Sequence, residues 1–103
     1  MDVEKDVHAG LKFSRILAKH NLKGEFYICG YLVEKFPYEV KEIAKHHTIG
    51  GHGYFHENFA KLSAAEQERL IKKTISIFKK NNINIEGWRF PGLNFENKNL
   101  NIL

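Results

Sequence analysis

The chain has 103 residues, of which 43% are hydrophobic and 27% charged, and it carries a net charge of +4. This length accommodates one small domain with a true core and excludes two. A single cysteine, Cys29, excludes an internal disulfide and any cysteine-based zinc cluster, and its apolar surroundings predict a buried, inert thiol.

No apolar run is long enough to span a bilayer, and the charged start MDVEKD lacks the apolar stretch of a signal peptide. A cytoplasmic location without a membrane partner is the expectation. The positive charge is scattered, with pairs at Lys72-Lys73 and Lys79-Lys80 that read as the solvated face of a helix. No dense basic patch with interleaved aromatics is present, so no nucleic-acid partner is expected.

In chain order, D-V-E at the start would, if extended, send Asp2 and Glu4 to one side and Val3 to the other; a frayed, charged terminus is the competing reading. Residues 10–20 carry Leu11, Ile16 and Leu17 among polar residues and predict a short amphipathic helix, ended by Lys23-Gly24. EFYIC, residues 25–29, predicts a buried strand, broken by Gly30. YLVEKF reads as a helical turn and PYEVKEIAKH as a helix with Pro37 at its first position, where the missing N–H costs nothing.

HTIGG, residues 47–51, predicts a strand running into a glycine-marked loop. Ser63 and Glu66 form a capping box, S-A-A-E, in which each side chain satisfies a backbone N–H at the other's position. The helix it opens has Leu70, Ile71, Ile75 and Phe78 on one face and stops at Asn81-Asn82. IEGWRFPG reads as a further strand, turned by Pro91-Gly92. Residues 94–103 are Asn-rich and carry no assignment.

Strands alternating with helices predict βα units and a mainly parallel sheet, in which chemistry gathers at the carboxyl ends of strands. His52 and His56 follow one predicted strand, and Arg89 and Pro91 close the next. The two histidines, four apart, would share one side of a helical turn and reach one metal ion. Imidazole suits zinc and its neighbours, and a catalytic site wants three protein ligands. H-x-x-x-H alone is also a common surface pattern, and both readings stand on spacing. A third ligand would come from Asp2, Glu4, Asp6 or Glu57. Of the nearby aromatics, Trp88 reads as packing, while Tyr54 and Phe55 can either pack or stack on a sugar.

Together these features resemble the polysaccharide deacetylase family, the carbohydrate esterases built on the NodB homology domain. Residues 23–59, KGEFYICGYLVEKFPYEVKEIAKHHTIGGHGYFHENF, are similar to the family's aromatic strand, glycine, helix broken at proline and His-x-Ile-Gly-x-His-x-x-x-His. WRFPG is similar to its Arg-x-Pro motif, and D-V-E looks like the Asp-x-Glu form of its opening acidic pair. The resemblance implies an α/β fold, a partial (β/α) barrel of the NodB type with about its first three to four βα units. Residues 1–103 would form one incomplete domain, since a full barrel typically needs about 250 residues. The family's later histidine, which protonates the leaving amine, has no counterpart before Leu103.

The resemblance also implies roles. His52, His56 and Glu4 would hold a divalent metal, zinc first, with cobalt, nickel or manganese as alternatives. Asp2 would be the general base, Arg89 would orient it, and Pro91 would shape the wall of the substrate groove; His47 would be structural, while Tyr54 is expected against substrate from its place between the histidines. The implied activity is metal-dependent removal of N-acetyl groups from an amino-sugar polymer or oligosaccharide. Two alternatives accompany it. Asp-x-Glu also occurs in an allantoinase-like subgroup that hydrolyses small cyclic amides, and a truncated, inactive domain would bind a glycan or a partner. A homo-oligomer completing the barrel is a further expectation.

Overall fold

The computed structural model describes residues 1–91 and places three short strands, β1 (Asp2–Val3), β2 (Glu25–Ile28) and β3 (Thr48–Gly51), in one parallel sheet in that order. Asp2 lies beside Tyr27 and Tyr27 beside Gly50, so the carboxyl ends of all three strands finish at one edge. The connections are helical: α1 (Val7–Lys19) between β1 and β2, then α2 (Gly30–Lys35) and α3 (Pro37–Ala44) between β2 and β3. After β3 come a 3-10 turn (Phe59–Lys61) and α4 (Ala64–Lys80). The parallel α/β arrangement expected from the sequence is present. The unassigned residues 94–103 lie outside the described residues.

Burial explains why these segments take these forms. Val3, Phe26, Ile28 and Ile49 turn one face of the sheet toward Val7, Leu11, Leu32, Val33, Val40 and Ile43 of the helices, all buried. Each such side chain contributes about 1.5–3 kcal/mol on leaving water. A second cluster, Phe59, Leu70, Ile71 and Phe90, joins α4 to the segment after it.

α1 begins earlier than the sequence pattern suggested, at Val7, because the Asp6 carboxylate accepts the Ala9 N–H at 3.0 Å and caps it. Its buried face includes Gly10 and Ser14, which a count of apolar residues passes over. Gly10 is there for proximity: a Cβ would stand 3.1 Å from Val3 Cγ2, so a bare backbone lets the helix press onto β1. At α4 the expected capping box is half formed. The Glu66 N–H donates to Ser63 Oγ, but the Glu66 carboxylate takes the Ser63 hydroxyl rather than its backbone N–H.

Within the described residues 85–91, the strand expected from IEGWRFPG contracts to a single bridge, Trp88 beside Gly51, and the expected turn at Pro91-Gly92 lies partly outside the described residues. Three backbone bonds hold the segment along β3: the N–H groups of Glu86, Gly51 and Arg89 donate to the carbonyls of Ile49, Gly87 and Gly51. Trp88 lies over Gly51 so closely that a Cβ there would fall 2.4 Å from the indole. At the opposite edge of the sheet, buried His47 accepts the Gly24 N–H at Nδ1 and meets the Ser14 carbonyl at Nε2, both at 2.9 Å. A carbonyl only accepts, so Nε2 carries the proton, and the ring ties α1 to the starts of β2 and β3.

The Trp88–Gly51 contact makes a stability prediction. Gly51→Ala should destabilise the protein by about 1–3 kcal/mol through overpacking. Urea unfolding followed by tryptophan fluorescence should show a lower midpoint at an unchanged slope; an unchanged midpoint would refute the close packing.

Candidate metal centre

The strand ends collect the chemistry. Asp2 lies within β1 and Glu4 just beyond it, while Val3 between them is only 2% exposed and turned into the core. This is the period-two alternation of an extended chain, and it puts both carboxylates on the side away from Val3. His52 follows β3 directly. One Glu4 oxygen, Oε1, is 3.1 Å from His52 Nε2 and 2.9 Å from His56 Nε2. Asp2 stands further off, with Oδ2 4.0 Å from His52 Nε2 and 3.4 Å from Arg89 Nε. Of the four acidic candidates, Asp6 is spent on the α1 cap and Glu57 on backbone N–H groups, leaving Glu4 with Asp2 beside it.

The donor set fits a divalent cation. His52 is fully buried, and its Nδ1 lies 2.7 Å from the Arg89 carbonyl. That oxygen accepts, so Nδ1–H donates and the ring is held in one orientation. In the neutral ring Nε2 then faces the Glu4 carboxylate with a lone pair. Two electron-rich atoms 3.1 Å apart are stabilised by positive charge between them. The ligating atoms of Glu4, His52 and His56 all lie within 4.8 Å of one another. Two atoms on a tetrahedral zinc with bonds of about 2.0–2.1 Å are themselves about 3.3 Å apart. Asp2 Oδ1 adds a second sign of unfinished chemistry: it is shielded from solvent and has no hydrogen-bond partner among the described residues.

The histidine pair reaches this geometry by a different route from the one expected. Residues 52–58 form no helical turn. The chain reverses through two left-handed residues, Gly53 at φ +73° and His56 at φ +67°. For a non-glycine residue that conformation costs of order 1–3 kcal/mol. Glu57 offsets it, accepting the Tyr54 and Phe55 N–H groups at 2.9 and 3.0 Å, one on each oxygen. The loop is also anchored from β2's far end: the N–H groups of Gly30 and Tyr31 donate to the carbonyls of Gly53 and Tyr54.

The residues around the site are held by the following contacts. Tyr54, expected to meet substrate, is built into the scaffold: Lys73 Nζ sits 3.9 Å over its ring and its hydroxyl donates to Glu34. That bond, ahead of burial, raises the phenol above its usual pKa. Phe55 is exposed at 62% and stacked on Tyr31 at 4.8 Å. Pro91, expected as groove wall, is buried, and its Cγ would lie 2.9 Å from a Cβ added at Gly53. Trp88 packs edge-on against Phe59 and Phe90, as expected of a scaffold residue. Sequence reasoning missed Tyr31, whose hydroxyl donates to the Glu4 carbonyl, because nothing in its spacing connects it to residue 4.

A family model described as polysaccharide deacetylase matches residues 10–103. The chain belongs to the polysaccharide deacetylase family. Among curated members, a peptidoglycan-N-acetylglucosamine deacetylase of Bacillus cereus is 45% identical over 62 residues, covering 59% of this chain and 22% of that protein. A peptidoglycan deacetylase of Helicobacter pylori is 26% identical over 83 residues, covering 76% and 28%. The chain thus spans less than a third of the length of these relatives.

The solved structures agree. A peptidoglycan N-acetylglucosamine deacetylase in complex with 4-naphthalen-1-yl-N-oxidanyl-benzamide superposes with a TM-score of 0.87 at 31% identity, over 98% of this chain and 48% of that one. A CE4 family pseudoenzyme from Bacillus anthracis gives 0.91 at 24% identity, over 99% and 37%. The sheet and helices are therefore a partial NodB-type barrel. A deacetylase and a pseudoenzyme superpose about equally well, so backbone likeness does not separate catalyst from silent relative.

Cys29 lies one step past β2, fully buried, with its thiol donating to the His52 carbonyl at 3.0 Å. Burial first, then the Glu4 and Glu57 carboxylates, pushes it up to about 12. Folding thus favours the protonated thiol, and the thiolate that reacts stays scarce until pH rises well above the ordinary range. Iodoacetamide at pH 8 should leave Cys29 intact in the native protein and alkylate it in denaturant; rapid native alkylation, read by mass spectrometry, would contradict the burial.

Proposed function

We propose that this chain carries the metal-binding and general-base half of a zinc-dependent deacetylase that removes acetyl groups from N-acetylglucosamine units of a peptidoglycan-type glycan. One observation carries the reading. Glu4, His52 and His56 converge on a shared point, with the Asp2–Arg89 pair beside it. The substrate class rests on the curated relatives, both of which bear peptidoglycan deacetylase names.

Glu4, His52 and His56 would hold the ion. When bound, zinc supplies a Lewis acid that polarises the amide carbonyl and stabilises the negative charge developing on it. The chain's own residues do the rest. His52 is oriented by the Arg89 carbonyl, so its coordinating nitrogen is set before binding. Arg89 Nε fixes Asp2 through Oδ2, leaving Oδ1 free of hydrogen bonds. Asp2 takes the proton of the attacking water as general base. Arg89 thereby serves the site twice, through its guanidinium on Asp2 and its carbonyl on His52. The same groups would serve a cyclic amide, but no contact in the site favours that substrate.

Isothermal titration with zinc should show one ion bound, with His52→Ala and His56→Ala each weakening uptake sharply. Asp2→Asn should retain zinc while acetate release from N-acetylglucosamine oligomers falls about 10²–10⁴-fold, the usual span for a lost general base. Zinc uptake indifferent to both histidines would sink the reading.

A further inference from the structure

Glu57 is one of the four acidic candidates near the histidines, and both its oxygens are occupied by backbone N–H groups. From that occupancy we infer that Glu57 is a positioning residue whose carboxylate clamps the turn between the two histidines and thereby sets the site's affinity for its cation. The inference rests on the metal-centre reading above.

Four observations converge on it. First, the clamp is bidentate along the chain: Oε1 takes the Tyr54 N–H and Oε2 the Phe55 N–H, so the carboxylate spans the segment separating His52 from His56. Second, His56 itself holds the left-handed φ of +67° that reverses the chain and brings its Nε2 to 2.9 Å from Glu4 Oε1. A β-type backbone at residue 56 would send the ring elsewhere, so whatever holds the turn holds the ligand.

Third, Gly53 leaves room for the carboxylate. A Cβ at residue 53 would fall 2.7 Å from Glu57 Oε1, closer than real contacts allow. The loop's glycine and its glutamate are thus one device: the first vacates the space the second fills. Fourth, the clamp reaches a second ligand. The Phe55 backbone it holds carries the ring stacked on Tyr31, and the Tyr31 hydroxyl donates to the Glu4 carbonyl. Of the three candidate ligands, His52 is buried and oriented by Arg89, whereas His56 and Glu4 are more open. Glu57 acts on those two. A charged carboxylate suits the task because hydrogen bonds to an ionised acceptor are roughly twice as strong as neutral ones.

The test uses cobalt(II), titrated by its visible absorption, on wild-type protein, Glu57→Ala, Glu57→Gln and Gly53→Ala. Glu57→Ala should weaken cobalt binding about 10–100-fold, the usual effect of removing a group that orients a ligand, with little change in thermal midpoint. Glu57→Gln keeps one acceptor oxygen and should fall between. Gly53→Ala retains the charge but displaces it and should also weaken binding; because its Cβ would meet Pro91 too, the two Glu57 variants carry the decision. Amide hydrogen exchange without any metal gives an independent reading: the Tyr54 and Phe55 N–H groups should exchange at least tenfold faster in Glu57→Ala.

Wild-type cobalt affinity in Glu57→Ala would overturn the clamp. So would an affinity loss matched by an equal loss of overall stability, which marks a purely structural role. If wild-type protein takes up no cobalt, the metal reading fails, and unchanged amide exchange would then remove the clamp as well.

Discussion

The carboxylate of Glu4 lies between two imidazoles, one of them 48 residues away in sequence, and the site exists only because that contact is made. It is not a contact between sheet neighbours, because β2 separates β1 from β3. One step beyond the paired residues Val3, Ile28 and Gly51 come Glu4, Cys29 and His52, a row across the sheet's edge. Cys29 occupies the middle of that row with a short side chain, and its thiol turns to the His52 carbonyl. Register therefore matters more here than stability. A one-residue slip of β1 would exchange Val3 for the carboxylates and send charge into the core.

Hydrophobic burial enforces that register from the other side. Val3 is locked among Val7, Gly10, Leu11 and Ile43, and Phe26, Ile28 and Ile49 continue the same surface along the sheet. Burying those faces gives the sheet a preferred alignment, and the polar groups on the opposite side inherit it. At the amino ends His47 plays a comparable part with hydrogen bonds, joining three segments through both ring nitrogens. The chemistry is thus mounted on strand ends, while the turn at residues 53–57 is held by polar contacts, from Glu57 within it and from Gly30 and Tyr31 after β2.

Membership of the polysaccharide deacetylase family constrains the backbone tightly and the chemistry loosely, since a deacetylase and a pseudoenzyme share this fold. On the proposed reading, competence would rest on the set of atoms at the strand ends: an oriented His52, a carboxylate shared by two imidazoles, and an acid beside them paired with an arginine. Each is a property of a few side chains, and each can change without disturbing the core. Arg89 shows the economy of the arrangement, because its backbone and its side chain serve different members of the site.

Much of this was readable along the chain because it depends on local periodicity. The alternation in D-V-E, the proline opening α3, the serine capping α4 and the order of strands and helices follow from rules that operate over a few residues. The H-x-x-x-H spacing pointed to two histidines whose rings the fold does bring together, 5.3 Å apart, but it suggested a helical turn, and the chain folds a left-handed loop instead. The strand near Trp88 shrank to one bridge, and α1 started at Val7, because contacts with β3 and the Asp6 cap decided their extent. Which acid joins the histidines, why Tyr54 turns to Lys73 and Glu34, and what holds His56 were decided by residues far apart in sequence. Period and propensity determine which side chains share a face of one element. Only packing between elements determines which atoms from different faces come within bonding distance.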